Sequence, residues 1–167
     1  MMASFIAIPI LTGLMLLQSG ILSRIPLLHG TPDLLMLFIL AWALQKRVQT
    51  AWQWSVIGAA IFSLVSALPL GTPLLAYGLA TGIALVLRHQ MWHVPILAML
   101  VAVLLGTLIS HMVSLLALRL TGDPISILQA LNLITLPSAF MNLVLAFPAY
   151  ALMGDLASWL YPEELEV

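Results

Sequence analysis

Long apolar runs separated by short polar connections make up almost the whole chain. A helix rises about 1.5 Å per residue, so about 20 apolar residues are needed to cross roughly 30 Å of hydrocarbon. The pattern therefore predicts an all-α protein: a polytopic integral membrane bundle of six transmembrane helices, forming one domain over residues 1–167. The predicted spans are about 3–22, 32–47, 52–68, 72–87, 94–118 and 136–156.

The second of these spans is the shortest apolar run, from Pro32 to Leu44. A run of that length is also typical of a re-entrant segment, which would leave five spans. Lys46 and Arg47 follow it, and such long side chains can reach toward the headgroups and lengthen the span by a turn. We therefore predict six spans, with five as the alternative.

Basic residues indicate the orientation, because they concentrate in cytoplasmic loops. Six spans with a cytoplasmic N-terminus and C-terminus place three basic residues inside and two outside; they are Lys46, Arg47 and Arg88 inside, and Arg24 and Arg119 outside. Tryptophans near the basic loops are expected to anchor at the membrane interface; they are Trp52, Trp54 and Trp92.

Two connections have their own predictions. Residues 69–73 hold two prolines and a glycine, which break both helices and predict a tight antiparallel hairpin. Residues 123–133 begin with Asp123 as a helix cap and Pro124 at the first helical position. Polar residues then share one face, which predicts a short amphipathic helix along the outer interface, with an ordered loop as the alternative. The polar residues are Ser126, Gln129 and Asn132.

Composition agrees with a membrane protein and excludes several functions. Hydrophobic residues make up 63% of the chain and charged residues 7%, whereas soluble domains are about one-quarter charged. Five Lys and Arg residues cannot form the basic face that nucleic acid requires. No cysteine is present for thiolate or cysteine–metal chemistry. His89 and His93 have the spacing of metal ligands, but a third ligand is missing, so we predict neither a metal nor a cofactor.

No catalytic motif occurs either, so we predict no enzymatic activity. The clearest packing signal is a stripe of small residues in the fifth span, which recur every four positions: Ala98, Ala102, Gly106, Ser110 and Ser114. Gly78 and Gly82 form a second small-residue pair in the fourth span. Small residues let helices approach closely in lipid. These surfaces are expected to pack within the bundle, or alternatively against a partner's helix.

Two polar side chains lie within predicted spans, His111 and Asn142. Polar groups in membranes are often functional, but neither residue has a carboxylate at recognisable spacing. We therefore expect both to form structural hydrogen bonds between helices. Asp155 is expected to reach the headgroups, because a carboxylate at the bilayer centre costs about 2.5–3.5 kcal/mol. Glu163, Glu164 and Glu166 would follow it as a solvated acidic tail.

Several segments, in order, resemble the rod shape-determining protein MreD family. The opening is similar in Leu17-Gln18-Ser19, in Pro32-Asp33-Leu34-Leu35 and in Trp42-Ala43-Leu44. The family's S-x-x-P-L-G turn is matched from Ser66 through Pro69 to Gly71, and its last span by Leu136-Pro137, Asn142 and Pro148. The family commonly has an acidic residue where this chain has Ser63, so a role that needs a carboxylate there is not expected.

The resemblance implies a non-enzymatic inner-membrane subunit of the complex that elongates the lateral cell wall of rod-shaped bacteria. It implies binding to MreC, and work alongside MreB, RodZ and the RodA–penicillin-binding protein 2 synthase. The family is also akin to the S components of energy-coupling-factor vitamin transporters, which implies a compact six-helix bundle with an outward cavity.

That kinship defines the alternative function, a substrate-binding subunit of a vitamin transporter. Such a subunit needs convergent polar groups near the outer side. The available residues are Arg24, His29, Asp33, Arg119, Asp123, Gln129 and Asn132.

Overall fold

The computed structural model describes residues 2–20, 30–69, 71–91, 93–122 and 126–162. Within these ranges the chain is helical, and each of the six predicted segments contains a helix. The helices are α1 (Met2–Gly20), α2 (Leu34–Ala43), α3 (Ala51–Val65), α4 (Thr72–Gln90), α5 (Pro95–Leu120), a short α6 (Ile127–Ala130) and α7 (Leu136–Leu160).

Three helical stretches of the described chain are long and apolar enough to cross a membrane: Ala3–Gly20, Pro95–Leu120 and Ile127–Leu160. The helices α2 and α3 are apolar but shorter, with 10 and 15 residues. The chain is therefore an all-α protein whose long apolar helices are consistent with residence in a membrane.

The shortest of the apolar helices, α2, lies at the centre of the bundle. It packs against α1, α3, α4, α5 and α7, and all of its residues except Phe38 are buried. The helix is about 15 Å long, roughly half of a hydrocarbon core. The polar groups at its two ends are hydrogen-bonded to other parts of the protein.

The helix α2 is shorter than the predicted span 32–47 because the chain turns after Ala43. Gln45 N–H donates to the carbonyl of Trp42, and Val48 N–H donates to the carbonyl of Gln45. Lys46 and Arg47 lie exposed in this turn. The two basic residues therefore do not extend the helix; they lie beyond its end.

A pair of stacked tryptophans joins α2 to α3 and α1. The rings of Trp42 and Trp54 lie 4.5 Å apart between centroids and are inclined by 23°. Trp54 is fully buried, and its indole N–H donates to the carbonyl of Ala3 at 3.0 Å. The interface-anchor prediction is therefore wrong for Trp54, because its one polar atom is satisfied inside the protein. Trp52 is exposed, and Trp92 lies outside the described residues.

The connection between α3 and α4 contains the predicted tight turn. Gly71 has a φ of +94°, a left-handed conformation that residues with a Cβ rarely adopt. Thr72 N–H donates to the carbonyl of Pro69, which closes the turn. Pro73 follows in the first turn of α4. A backbone N–H in this turn has no partner within the helix, so the proline costs no hydrogen bond.

The predicted outer amphipathic helix differs from the structure. The helix α6 continues through a π-helical turn, Leu131–Thr135, directly into α7. Leu136 N–H donates to the carbonyl of Leu131, five residues back, just before Pro137, which has no N–H to donate. The segment is therefore the start of one long helical stretch rather than a separate helix. Asp123 and Pro124 lie outside the described residues.

Candidate functional site

Side chains from several helices meet at the start of α2. The first backbone N–H groups of any helix lack partners within the helix. Here Leu34 N–H donates to Oε1 of Gln18 at 2.8 Å, and Asp33 N–H donates to Oδ1 of Asn142 at 2.9 Å. Met36 N–H donates to Oδ1 of Asp33 at 3.0 Å, a side-chain cap of the helix. The five residues Gln18, Asp33, Tyr77, Thr107 and Asn142 are called the polar cap below.

Asn142 uses both ends of its amide within the polar cap. Its oxygen must face Asp33, because a backbone N–H can only donate. Its Nδ2 then donates to Oγ1 of Thr107 at 2.9 Å, and Thr107 in turn donates to the carbonyl of Val103 at 2.8 Å. Asn142 is fully buried. Asn142 lies in α7, so these bonds connect α7 both to the start of α2 and to α5. Hydrogen bonding between helices is the role expected for Asn142.

The carboxylate of Asp33 has a second donor besides Met36. The hydroxyl of Tyr77 lies 2.8 Å and 2.9 Å from the two carboxylate oxygens. Tyr77 is buried in α4 and its ring lies against Phe62 of α3, with centroids 5.7 Å apart. Burial of a carboxylate is tolerated where several donors surround it. Asp33 is thus a structural anchor between α2 and α4.

A cavity of about 250 Å³ lies beside the polar cap. Its polar lining includes Gln18, Asp33, Ser110, His111 and Ser114. Several of these groups are already engaged: Nδ1 of His111 lies 2.9 Å from Oγ1 of Thr135, and Ser114 donates to the carbonyl of Ser110. The partner of His111 is therefore a hydroxyl on the long final helical stretch.

The small-residue stripe of α5 divides into two parts. Ala98, Ala102 and Gly106 are buried, and a Cβ on Gly106 would lie 2.9 Å from Cδ1 of Leu40. This part therefore packs against α2, inside the chain's own bundle. Ser110 and Ser114 are half-buried and line the cavity.

The glycines of α4 have different surroundings. A Cβ on Gly82 would lie 3.6 Å from the ring of Trp52, whereas a Cβ on Gly78 would have no neighbouring atom within 4 Å among the described residues. Of the two positions, Gly78 is therefore the one with room for another helix.

The positions that resemble the MreD family lie in two regions. Pro32, Asp33, Pro137 and Asn142 belong to or adjoin the polar cap: a Cβ on Gly30 would lie 2.7 Å from the Cβ of Pro137. Ser66, Pro69 and Gly71 form the connection from α3 to α4, where Oγ of Ser66 accepts from Leu68 N–H. Pro148 lies inside α7. At the departure from the family pattern, Ser63 donates to the carbonyl of Ala59 on its own helix.

The other polar candidates do not converge in the described structure. Arg119, Gln129 and Asn132 are exposed, and of this set only Asp33 lines the cavity. Arg24, His29 and Asp123, like the acidic tail of Glu163, Glu164 and Glu166, lie outside the described residues. His89 and His93 are exposed, and the described residues contain no group of three metal-ligating side chains.

Tyr77 and Thr107 of the polar cap were not singled out from the sequence, and Gln18 was identified only as part of a segment that resembles the MreD family. The available signal for Gln18 is its position as an amide near the end of an otherwise apolar helix. Tyr77 and Thr107 lie within apolar helices too, but a hydroxyl there can also bond its own helix backbone. Their roles follow only from the packing of α4 and α5 against α2.

Two threonines provide a matched test of this hydrogen-bond assignment. Both are fully buried, but Oγ1 of Thr81 has no partner among the described residues, whereas Thr107 has two. We expect Thr81→Val to raise the free energy of unfolding by about 1 kcal/mol, because it removes an unsatisfied hydroxyl. Thr107→Val should lower it by about 2 kcal/mol, because Nδ2 of Asn142 loses its acceptor. Unfolding in detergent measures both; equal effects would contradict the assignment.

Comparison of the chain with models of protein families, with curated proteins and with solved structures gives no match.

Proposed function

We propose that the chain is a non-enzymatic scaffold subunit of the bacterial lateral cell-wall elongation complex, a protein of the MreD type. In this proposal it binds MreC and helps to position the RodA–penicillin-binding protein 2 synthase, together with RodZ and MreB. The bundle crosses the inner membrane six times in an arrangement like that of the S components, with both termini in the cytoplasm.

The observation that supports this proposal is where the resembling segments meet. Gln18, Asp33 and Asn142 belong to three segments that resemble the MreD family, and they are widely separated in the chain. Gln18 and Asn142 both accept from backbone N–H groups at the start of α2, at 2.8 Å and 2.9 Å. The three segments that resemble the family are thus joined by hydrogen bonds at the start of α2. This is expected if the sequence features of the family specify its fold.

The geometry of the polar groups also favours a scaffold over an enzyme. Asp33 bonds Met36 and Tyr77, and His111 bonds Thr135. Catalysis by a nucleophile and a base needs these groups to be aligned with one another. In the described part of the chain Asp33, His111 and Asn142 instead connect separate helical segments, as a rigid binding partner requires.

The cavity beside the polar cap supports a second candidate function, the substrate-binding subunit of a vitamin transporter. Its volume of about 250 Å³ is slightly below the roughly 300–1,000 Å³ typical of small-molecule sites. Asp33, Gln18 and His111 line it, but each already holds a hydrogen bond inside the protein. The scaffold is therefore the stronger proposal.

Depletion of the protein in its own bacterium distinguishes the two candidates. A scaffold of the elongation complex predicts that rod-shaped cells become round and that an intact copy restores their shape. The control is the empty vector, which should leave the depleted cells round. Cells that keep their rod shape but lose uptake of a vitamin would overturn the scaffold and support the transporter subunit.

A further inference from the structure

A second cavity, of about 290 Å³, lies at the opposite end of α2. It is bordered by the turn after α2, the ends of α4 and α7, and the start of α5. Lys46, Arg47 and Arg88 all line it, and they are three of the five Lys and Arg residues in the chain. Among the described residues, none that lines this cavity is acidic. This basic cavity therefore concentrates most of the positive charge of the protein at one end of the bundle.

Arg88 is held firmly in the wall of the basic cavity. Its Nη1 donates to the carbonyls of Ala43, Gln45 and Val48, at 3.2, 3.2 and 2.9 Å. The carbonyl of Ala43 belongs to the last residue of α2, where carbonyls have no partner within the helix, and the other two carbonyls lie in the turn that follows. The Nε and Nη2 donors of Arg88 make no hydrogen bond to the described residues. Partial burial lowers the pKa of Arg88, but a guanidinium stays charged in proteins.

One wall of the same cavity is formed by α7. Tyr150, Gly154, Ala157 and Ser158 line it, and eight residues of helix extend over about 12 Å. The side chains at Gly154 and Ala157 are small, and a Cβ on Gly154 would make an ordinary van der Waals contact with Gln45, at 3.8 Å. Ala98 of α5 lines the opposite wall. The cavity therefore combines three basic side chains with a wall that includes the small residues Gly154 and Ala157.

We propose that the basic cavity binds the phosphate headgroup of an anionic phospholipid, with one acyl chain lying along α7. Free donors on a fixed guanidinium suit a phosphate, because phosphate oxygens accept several charge-assisted hydrogen bonds. Basic pockets between helices at a membrane surface are suited to anionic headgroups. The wall formed by α7, with Gly154 and Ala157, favours a lipid over a soluble phosphate, because an acyl chain can pack against it. This site is independent of the scaffold function proposed above.

The test measures binding of phosphatidylglycerol and phosphatidylcholine to the intact protein in a neutral detergent, by native mass spectrometry. We expect phosphatidylglycerol to bind at least about tenfold more tightly than phosphatidylcholine. The Lys46→Gln/Arg47→Gln double variant should lose at least about tenfold in affinity for phosphatidylglycerol, because each cation near an anionic lipid contributes roughly fivefold. These two residues are exposed, whereas Arg88 is avoided because its loss would also uncap α2.

Arg119→Gln is the matched control, because it removes one positive charge at the far end of α5, where Arg119 is exposed. It should leave the lipid affinity unchanged, and thermal unfolding in phosphatidylcholine alone should show that all variants are folded. An equal loss in Arg119→Gln, or no loss in the double variant, would overturn the proposal.

Two further outcomes would also contradict the proposal. Glycerol phosphate that competes as well as phosphatidylglycerol would identify a soluble ligand instead. Equal affinity for the two lipids would indicate another occupant, such as the acidic segment of Glu163, Glu164 and Glu166 that follows Tyr161 in the sequence.

Discussion

Asn142→Leu is expected to lower the free energy of unfolding by about 3 kcal/mol. Leucine cannot accept from Asp33 N–H or donate to Thr107, so the variant leaves a buried backbone donor without a partner, at a cost of about 1–3 kcal/mol. Its branched side chain must also fit a fully buried position that holds an amide, and such misfit typically adds about 1 kcal/mol or more. The expected loss of stability exceeds the roughly 0.6 kcal/mol average for interhelical hydrogen bonds in membranes, because one of the groups left without a partner is a backbone N–H.

The control for this prediction is Asn132→Leu, the same change at an exposed position ten residues earlier. It breaks no hydrogen bond given by the structure and should change the free energy of unfolding by less than about 0.5 kcal/mol. Denaturant titration in detergent, followed by circular dichroism, compares the two variants. If Asn142→Leu unfolds at the same denaturant concentration as the unmodified protein, the polar cap does not stabilise the start of α2.

Gly30→Ala has the second large expected effect. An added Cβ would lie 2.7 Å from the backbone nitrogen of Ser138 and 2.7 Å from the Cβ of Pro137. A backbone nitrogen and a proline ring cannot rotate away as a flexible side chain can. The chain segment that precedes α2 must therefore move away from α7. That movement strains the bond from Thr31 N–H to Oγ of Ser138, 3.1 Å long. We expect a loss of about 3 kcal/mol in the free energy of unfolding.

Gly13 supplies the matched control. It lies inside α1, and an added Cβ would meet no atom within 4 Å. Gly13→Ala should therefore raise the free energy of unfolding by about 0.5–1 kcal/mol, because alanine favours helix more than glycine does. Opposite signs for the two substitutions are the expected outcome of thermal unfolding. A stable Gly30→Ala variant would show that α7 does not lie as close to Gly30 as the structure places it.

Hydrophobic periodicity predicts where helices form in this chain, but not which surroundings they have. The run from Pro32 to Leu44 is apolar on all sides, and such a pattern is typical both of a helix in lipid and of a helix buried in protein. The structure shows the second case, with α2 enclosed by five other helices. Trp54 is a similar case: position next to basic residues predicts an interface, yet the indole finds its partner at the carbonyl of Ala3.

Only some members of the polar cap could be anticipated from the sequence, and their assembly into one cluster could not. Asn142 and Asp33 are identifiable as polar groups beside apolar runs, and hydrogen bonding between helices is the expected role for Asn142. Their partnership joins positions 109 residues apart, and no local pattern encodes such a contact. Likewise, the sequence identifies Arg88 only as a basic residue in a connection between two predicted spans. Its role at the end of α2 depends on how α4 packs.

The two ends of α2 therefore explain why a helix of about 15 Å can lie at the centre of a membrane bundle. Its N–H groups are satisfied by Gln18 and Asn142, and its last carbonyls by Arg88. Apart from these polar contacts, the helix is surrounded by apolar side chains. Under the proposed function, other proteins are expected to bind the outer surface of this bundle.

Affinity purification of the intact protein in mild detergent, with mass spectrometry of the co-purified proteins, tests that account most directly. A scaffold of the MreD type predicts recovery of MreC in near-equal amount, with RodA and penicillin-binding protein 2 in lesser amounts. Recovery of transporter ATPase and coupling subunits in place of MreC, or of a vitamin bound one to one, would contradict it.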